Sequence, residues 1–324
     1  MKAIVCTRYG SPDALELRDV ATPRPKANEV LIRIHATTVT MGDCEVRASR
    51  FPLWLWPLIR LYMGPLKPRI KVFGQEVAGE VEAVGSEVTH FKPGDQVFAP
   101  TTISLGAHAE YICLPAEYAI ATKPLDVSYE QAAAIPVGGL NALYFLRKAN
   151  LQAGQKILIN GAGGSIGSFA VQLAKFYGAE VTAVDSANKQ EMLCFIGADH
   201  FIDYTRQDFR QGGKQYDVVF DVVGKSSLAR CAKILTPTGI YVSANPKVAD
   251  MVQGAWAAMT RSRKRVITGA TEYTREDLAY LAALVAAGKI APYIDRRYNL
   301  AEVPAAHRYV DSGEKKGCVV VTVS

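Results

Sequence analysis

The sequence predicts a two-domain α/β chain, with a β-rich barrel-like first part joined to a doubly wound parallel sheet. Three observations carry this. Short strands with turn residues crowd residues 1–120; strand and helix alternate from Gln155 onward; and a glycine-rich turn links a buried strand to a helix there. A length of 324 residues exceeds what one hydrophobic core usually fills. Hydrophobic residues at 49% and charged residues at 21% are ordinary globular usage, which argues against disorder.

In order along the chain, Val30–His35 and Gly79–Val84 read as strands, and Phe91–Phe98 carries a Pro93-Gly94 turn between apolar residues. Such spacing suits an all-β barrel. Lys156–Asn160 reads as a buried parallel strand. Ser165–Tyr177 reads as a helix, with Ile166, Phe169, Ala170, Leu173 and Ala174 at helical spacing. Glu180–Val184, Asp217–Phe220 and Gly239–Val242 follow as strands, and this alternation predicts the parallel sheet. Arg275–Ala287 is helical, and Lys316–Val323 is a closing strand expected to fold back onto the first domain. The domains are therefore placed at 1–120, 121–266 and a C-terminal return at 267–324.

No apolar run reaches the ~20 residues that cross a bilayer. Met1–Cys6 reads as a strand and not as a signal peptide. The six cysteines are scattered without a CxxC pair, which fits reduced thiols and a cytoplasmic setting. A net charge of +6 suits an anionic cofactor and is weak support for nucleic acid.

The strongest motif is Asn160-Gly161-Ala162-Gly163-Gly164-Ser165-Ile166-Gly167, between strand and helix. Glycines allow the tight turn and let backbone approach a pyrophosphate, while the helix N-terminus offers N–H groups and a positive dipole end. The motif predicts a bound dinucleotide, against the alternative of a glycine turn without a ligand. Asp185 ends the second strand near the spacing expected for a ribose-binding carboxylate, which favours NADH. Lys189 and Tyr204 are able to bind a 2′-phosphate, which favours NADPH. The residues alone leave the two close; Ser186, Val223 and Ser243 complete the expected cofactor set.

With these residues in view, the chain resembles the medium-chain dehydrogenase/reductase superfamily, and within it the zinc-independent quinone oxidoreductase branch. The resemblance covers essentially the whole chain. It rests on Val72–Val81, Phe91–Val97, Ala132–Pro136, the glycine loop, Gly197–Tyr204 and Gly288–Pro292. It implies a GroES-like β-barrel catalytic domain, a Rossmann domain, a cleft between them and a homodimer. NADPH-using relatives carry a lysine and a tyrosine at Lys189 and Tyr204, which puts NADPH slightly ahead. They usually carry a small residue at Asp185, which keeps NADH open.

The resemblance also implies no zinc. Zinc-binding relatives place a cysteine at Thr40, a histidine at Gln75 and a further cysteine near Val137, and none of the three is a zinc ligand here. Cys44 and His35 remain as stray candidates and read as packed side chains. Without a metal, a hydrogen-bond donor must stabilise the oxygen that gains charge. Thr40 is one candidate, at a position where relatives often have asparagine. Asp43 orients groups or caps the next helix. Tyr62 is a candidate proton donor, and Asn141 a polar group at the cleft; solvent is the alternative proton source.

Two segments stay open. Phe51–Pro65 holds two of the three tryptophans. It reads as an apolar lid over a hydrophobic substrate, as a membrane-surface segment, or as packing against the barrel or a partner subunit. Arg261–Arg265 is a basic run that reads as a solvated loop, with attraction to anionic lipid or nucleic acid as the lesser reading. The leading expectation is NAD(P)H-dependent reduction of a quinone or α,β-unsaturated carbonyl. The alternatives are an enoyl-thioester reductase, a metal-free alcohol dehydrogenase, or a non-catalytic NADPH-binding protein with RNA or membrane partners. Nucleic acid is otherwise not an expected partner.

Overall fold

Strands buried on both faces and strands wetted on one face carry different sequence patterns, and this chain uses both. The computed structural model describes residues 1–51, 56–211, 213–245 and 264–323. Pro52–Leu55 of the apolar segment and Arg261–Arg263 of the basic run lie outside the described residues. The chain divides into two units. The first is Met1–Val137, Tyr273–Gly288 and Ile294–Ser324; the second is Gly138–Glu272 and Lys289–Tyr293.

In the first unit β1 (Lys2–Cys6) and β2 (Leu15–Asp19) form an antiparallel pair. The hub is β3 (Glu29–Thr38), which pairs antiparallel with β4 (Glu76–Val84) and with β6 (Tyr111–Pro115). Strand β5 (Gln96–Pro100) joins β4 to the two-residue β7 (Ala121–Thr122). Ile32, Val77, Val97, Leu114 and Val319 meet in the core of this unit.

The second unit holds β8 (Lys156–Asn160), β9 (Glu180–Asp185), β10 (His200–Asp203), β11 (Tyr216–Asp221), β12 (Leu235–Ser243) and β13 (Arg265–Ile267). They pair in parallel in the order β10-β9-β8-β11-β12-β13. The order reverses between β8 and β11, and in such sheets ligands bind outside the carboxyl ends of the strands at that reversal. Beyond β13 the chain returns: β14 (Ile294–Asn299) runs parallel to β15 (Cys318–Thr322), and β15 pairs with β3.

The boundary differs from the sequence reading. Residues 121–137 stay in the first unit, because β7 pairs with β5 and the helix Tyr129–Ala133 packs on β3 and β4. Residues 289–293 leave the C-terminal return and join the second unit. There Gln172 donates to the carbonyl of Ala291 (2.9 Å) and accepts from its N–H (2.8 Å).

Arg47 is the largest fully buried side chain of the described residues. It lies in the helix Met41–Ala48 and pairs with Asp311 at the end of the helix Val303–Asp311. Its Nε donates to the carbonyl of Gly10 (3.0 Å). A buried guanidinium stripped of its counter-ion keeps the desolvation cost without the compensation. Asp311→Ala is therefore expected to lower stability by about 3 kcal/mol in urea denaturation. Arg47→Met, which removes the charge that needs pairing, is expected to cost less. The opposite ranking would contradict the role given to the pair.

Candidate active site

The turn after β8 is built by absence of side chains. Gly161 has φ +83°, and a Cβ on it would stand 2.3 Å from Cγ2 of Val223. A Cβ on Gly167 would stand 2.3 Å from the carbonyl oxygen of Gly161 and 2.6 Å from Cα of Ala162, so the helix Ser165–Phe176 is pressed directly on the turn. Gly163 is covered by Lys189 and Asp185. Gly164, the N-cap, is different: its nearest neighbour would be 3.8 Å away, which leaves one face of the loop open. An open glycine at a helix start, followed by Ser165 and Ile166 in the first turn, suits phosphate oxygens.

The strand ends around this loop bring the other cofactor candidates together. Asp185, the last residue of β9, accepts from the N–H of Gly163 (2.8 Å) and of Ser186 (2.9 Å). It also pairs with Lys189 Nζ at 3.1 Å, and both side chains are more than nine-tenths buried. Tyr204 follows β10, donates its backbone N–H to the carbonyl of Asp185 (3.2 Å) and exposes its ring. Val223 follows β11 and is partly exposed. Ser243 closes β12, fully buried, and its Oγ has no hydrogen-bond partner among the described residues.

One group that sequence reading missed organises this end of the sheet. Asp221 is buried at the end of β11 and takes donors from Asn160 Nδ2 (2.9 Å), Tyr241 Oη (2.9 Å), and the N–H groups of Gly224 (3.0 Å) and Ser226 (2.7 Å). That network sets the loop carrying Val223. A motif scan passes over it because an aspartate at a strand end has no signature of its own.

The first unit holds a polar cluster where the sequence placed Thr40 and Asp43. Thr40 caps the helix Met41–Ala48 and forms a capping box with Asp43. The carboxylate of Asp43, fully buried, accepts from the N–H (2.8 Å) and hydroxyl (2.7 Å) of Thr40 and from the N–H of Gly74 (3.1 Å). Thr40 Oγ1 also lies 2.9 Å from Gln75 Oε1, so one hydroxyl proton is offered to two acceptors. Beside Gln75, the carboxyl of Glu76 accepts from the N–H of Val137 (2.6 Å) and from the hydroxyl of Thr38. Burial pushes Glu76 up to about 7, and the nearby Asp43 adds to the shift.

Asp43 is thus a helix cap with its oxygens occupied, the second of the two readings its sequence position offered. Tyr62 lies on the exposed helix Trp56–Met63. Asn141 belongs to the second unit, where its Oδ1 accepts from the hydroxyl of Thr271 (2.6 Å). Of the stray candidates, His35 stacks on Tyr129 with ring centroids 4.3 Å apart. Cys44 Sγ lies 3.3 Å from Nδ1 of His307. Burial raises the thiol and lowers the imidazole well below its usual range, so both are neutral.

Residues 26–124 match the alcohol dehydrogenase GroES-like domain, and residues 196–321 match the family described as zinc-binding dehydrogenase. The chain is 33% identical to the quinone oxidoreductase of Pseudomonas aeruginosa, over 99% of each protein. It is 32% identical to the chloroplastic NADPH-dependent alkenal/one oxidoreductase of Arabidopsis thaliana, over 99% of this chain and 79% of that one. The crystal structure of Escherichia coli quinone oxidoreductase complexed with NADPH superposes with a TM-score of 0.84. It is 26% identical, over 99% of this chain and 100% of that chain.

The chain belongs to the quinone oxidoreductase-like branch of the medium-chain dehydrogenase/reductase superfamily. It is an NAD(P)H-dependent oxidoreductase.

Within this quinone oxidoreductase-like enzyme the positions linked to zinc converge: Thr40 touches Gln75, and Val137 reaches Glu76 beside it. A hydroxyl, an amide and a backbone N–H do not supply the Cys, His or carboxylate ligands that catalytic zinc takes, so the donor set does not fit the metal. It fits hydrogen bonding to a substrate oxygen. Gln75, overlooked in the sequence except as a missing histidine, has its oxygen engaged by Thr40. Its amide N–H groups are free to donate among the described residues.

Glu76 makes stability depend on pH. Its folded value near 7 lies above the ordinary 4.5. Its burial therefore costs nothing below about 4.5, and a penalty of about 3 kcal/mol develops as pH rises through the folded value. Denaturant unfolding of the wild type and of Glu76→Gln from about pH 4.5 to 8 should show the variant gaining about 3 kcal/mol relative to wild type over that window. A difference constant with pH would mean that the buried carboxyl does not titrate there.

Proposed function

We propose that this oxidoreductase uses NADPH to reduce a quinone or an α,β-unsaturated carbonyl, without a metal. Bound NADPH supplies a hydride; the rest falls to the chain's own residues. Gly161, Ala162, Gly163, Gly164, Ser165, Ile166 and Gly167 would cradle the pyrophosphate, and the open face at Gly164 and the orphaned hydroxyl of Ser243 suit a ligand. Lys189 and Tyr204 would hold the 2′-phosphate.

The observation that carries the coenzyme choice is the Asp185–Lys189 pair. Asp185 already takes two backbone N–H groups and an ammonium, so it is not an idle acceptor waiting for a ribose hydroxyl. On this reading Asp185 positions Lys189 and moderates its charge. The relatives agree in name: one is called NADPH-dependent, and the Escherichia coli enzyme was solved with NADPH.

For the substrate, reduction builds negative charge on a carbonyl or quinone oxygen. The Gln75 amide is the neutral donor for it, and the Thr40 hydroxyl, spent on Asp43 and on the Gln75 oxygen, holds that amide in place. Neither is an acid strong enough to deliver a proton at pH 7, so the final proton comes from solvent.

Nicotinamide fluorescence titrations test the coenzyme site, followed by initial rates with a panel of quinones and enones. Lys189→Ala should raise KM for NADPH by about ten- to a hundredfold, the loss of a hydrogen bond to a charged group, and leave NADH nearly unchanged. Asp185→Asn should tighten NADPH several-fold by removing the carboxylate beside the phosphate. Variants that disturb NADH more than NADPH would reverse the assignment.

A further inference from the structure

The charge of this chain is unevenly placed. Residues 46–75 contain six cations, Arg47, Arg50, Arg60, Lys67, Arg69 and Lys71, and no aspartate or glutamate. The remaining Lys and Arg equal the acids, 31 of each, so this stretch carries the whole net charge of +6. Arg47 and Arg50 are paired with Asp311. Lys67, Arg69 and Lys71 are exposed and pair with no carboxylate among the described residues.

The same stretch exposes apolar surface. Five of the thirteen exposed large apolar side chains among the described residues are Trp56, Leu58, Leu61, Tyr62 and Leu66. In the helix Trp56–Met63, Ile59 and Met63 face the core. Leu58, Leu61 and Tyr62, at the i, i+3, i+4 spacing of one helical face, point outward at 66%, 64% and 55% exposure. Leu66, just beyond, is 86% exposed.

That outward face is anchored from beneath. The guanidinium of Arg60 stacks on Tyr9 at 3.8 Å from the ring centroid, and its Nε donates to the carbonyl of Pro65 (2.9 Å). The hydroxyl of Tyr9 donates to the carbonyls of Met63 (3.0 Å) and Gly64 (2.9 Å), and Arg69 N–H donates to the carbonyl of Met63 (2.7 Å). Gly64, with φ +113°, ends the helix and turns the chain so that the cations follow the apolar residues directly.

We propose that the surface formed by Trp56, Leu58, Leu61, Leu66, Lys67, Arg69 and Lys71 docks on the face of an anionic lipid bilayer. Leucines with an interfacial Trp and Tyr suit the boundary between headgroups and acyl chains, and adjacent unpaired cations suit anionic headgroups. No helix of the described residues is long and apolar enough to cross a membrane, so the contact is peripheral. The charge decides for lipid over a second copy of the chain, whose matching surface would present the same cations. This inference stands independently of the coenzyme assignment.

Flotation of the full chain with phosphatidylcholine vesicles, alone or mixed with phosphatidylserine, tests it. The wild type should float with the anionic vesicles, weakly with neutral ones, and less as salt rises. Lys67→Gln/Arg69→Gln/Lys71→Gln should weaken binding about a hundredfold, at roughly fivefold per cation. Leu58→Ser/Leu61→Ser/Leu66→Ser should weaken it by at least about tenfold at every salt concentration. Circular dichroism and urea unfolding of each variant check that the first unit, which carries every substitution, is folded. The proposal is overturned if the wild type floats with neither vesicle or equally with both. It is equally overturned if the leucine variant keeps vesicle binding. A raised KM for apolar substrates in that variant would then mark a substrate lid, and a changed sedimentation coefficient a self-association face.

Discussion

The second unit depends on one steric constraint, the contact of Gly167 with the carbonyl of Gly161. A helix N-terminus serves an anion only when it sits against the end of the strand that delivers it, and here no atom separates the two. A single methyl at Gly167 would meet backbone, which cannot rotate aside as a flexible side chain would. The other strand ends are arranged around that seat. Asp185 ties the loop to β9 through the N–H of Gly163, and Val223 closes over Gly161 from β11. Asp221, with four donors, keeps the β11 loop in place to do so.

The first unit solves a different problem. Its polar cluster lies in a barrel core, where an unpaired carboxylate is costly. Asp43 is kept company by three donors, whereas Glu76 has two and sits close to Asp43. Burial above all pushes Glu76 up to about 7, and the nearby Asp43 carboxylate adds to the shift. Gln75, its oxygen held by Thr40, presents a neutral amide N–H group, a setting suited to an oxygen that becomes charged only during reaction.

Much of the fold was legible because periodicity reports burial. The alternation through β8, β9, β11 and β12 was readable from apolar runs, whereas β10 was not read as a strand; the helix Ser165–Phe176 was read to within one residue. The closing strand β15 was readable as a strand, and its pairing with β3 is a long-range contact that only the folded chain displays. The domain boundary was misplaced for a related reason: β7 is two residues long, and its membership is decided by pairing with β5.

For the site, the glycine loop and the positions of Asp185, Lys189, Tyr204, Val223 and Ser243 were named from sequence, because spacing from a strand end is a local property. What Asp185 does was not. Its sequence position favoured a ribose ligand, and only the fold shows the carboxylate holding Lys189 and the N–H of Gly163. The fold also chooses the capping alternative for Asp43, and Asp221, Glu76 and the donor role of Gln75 emerged only from three-dimensional neighbours. The sequence by itself determined the α/β class, the dinucleotide loop and the lack of zinc ligands at Thr40, Gln75 and Val137, since each follows from residue type at a known local spacing. The tertiary structure decided which polar groups are spent on one another and which remain for a ligand, because hydrogen-bond partners far apart in the chain are chosen only when the sheets close.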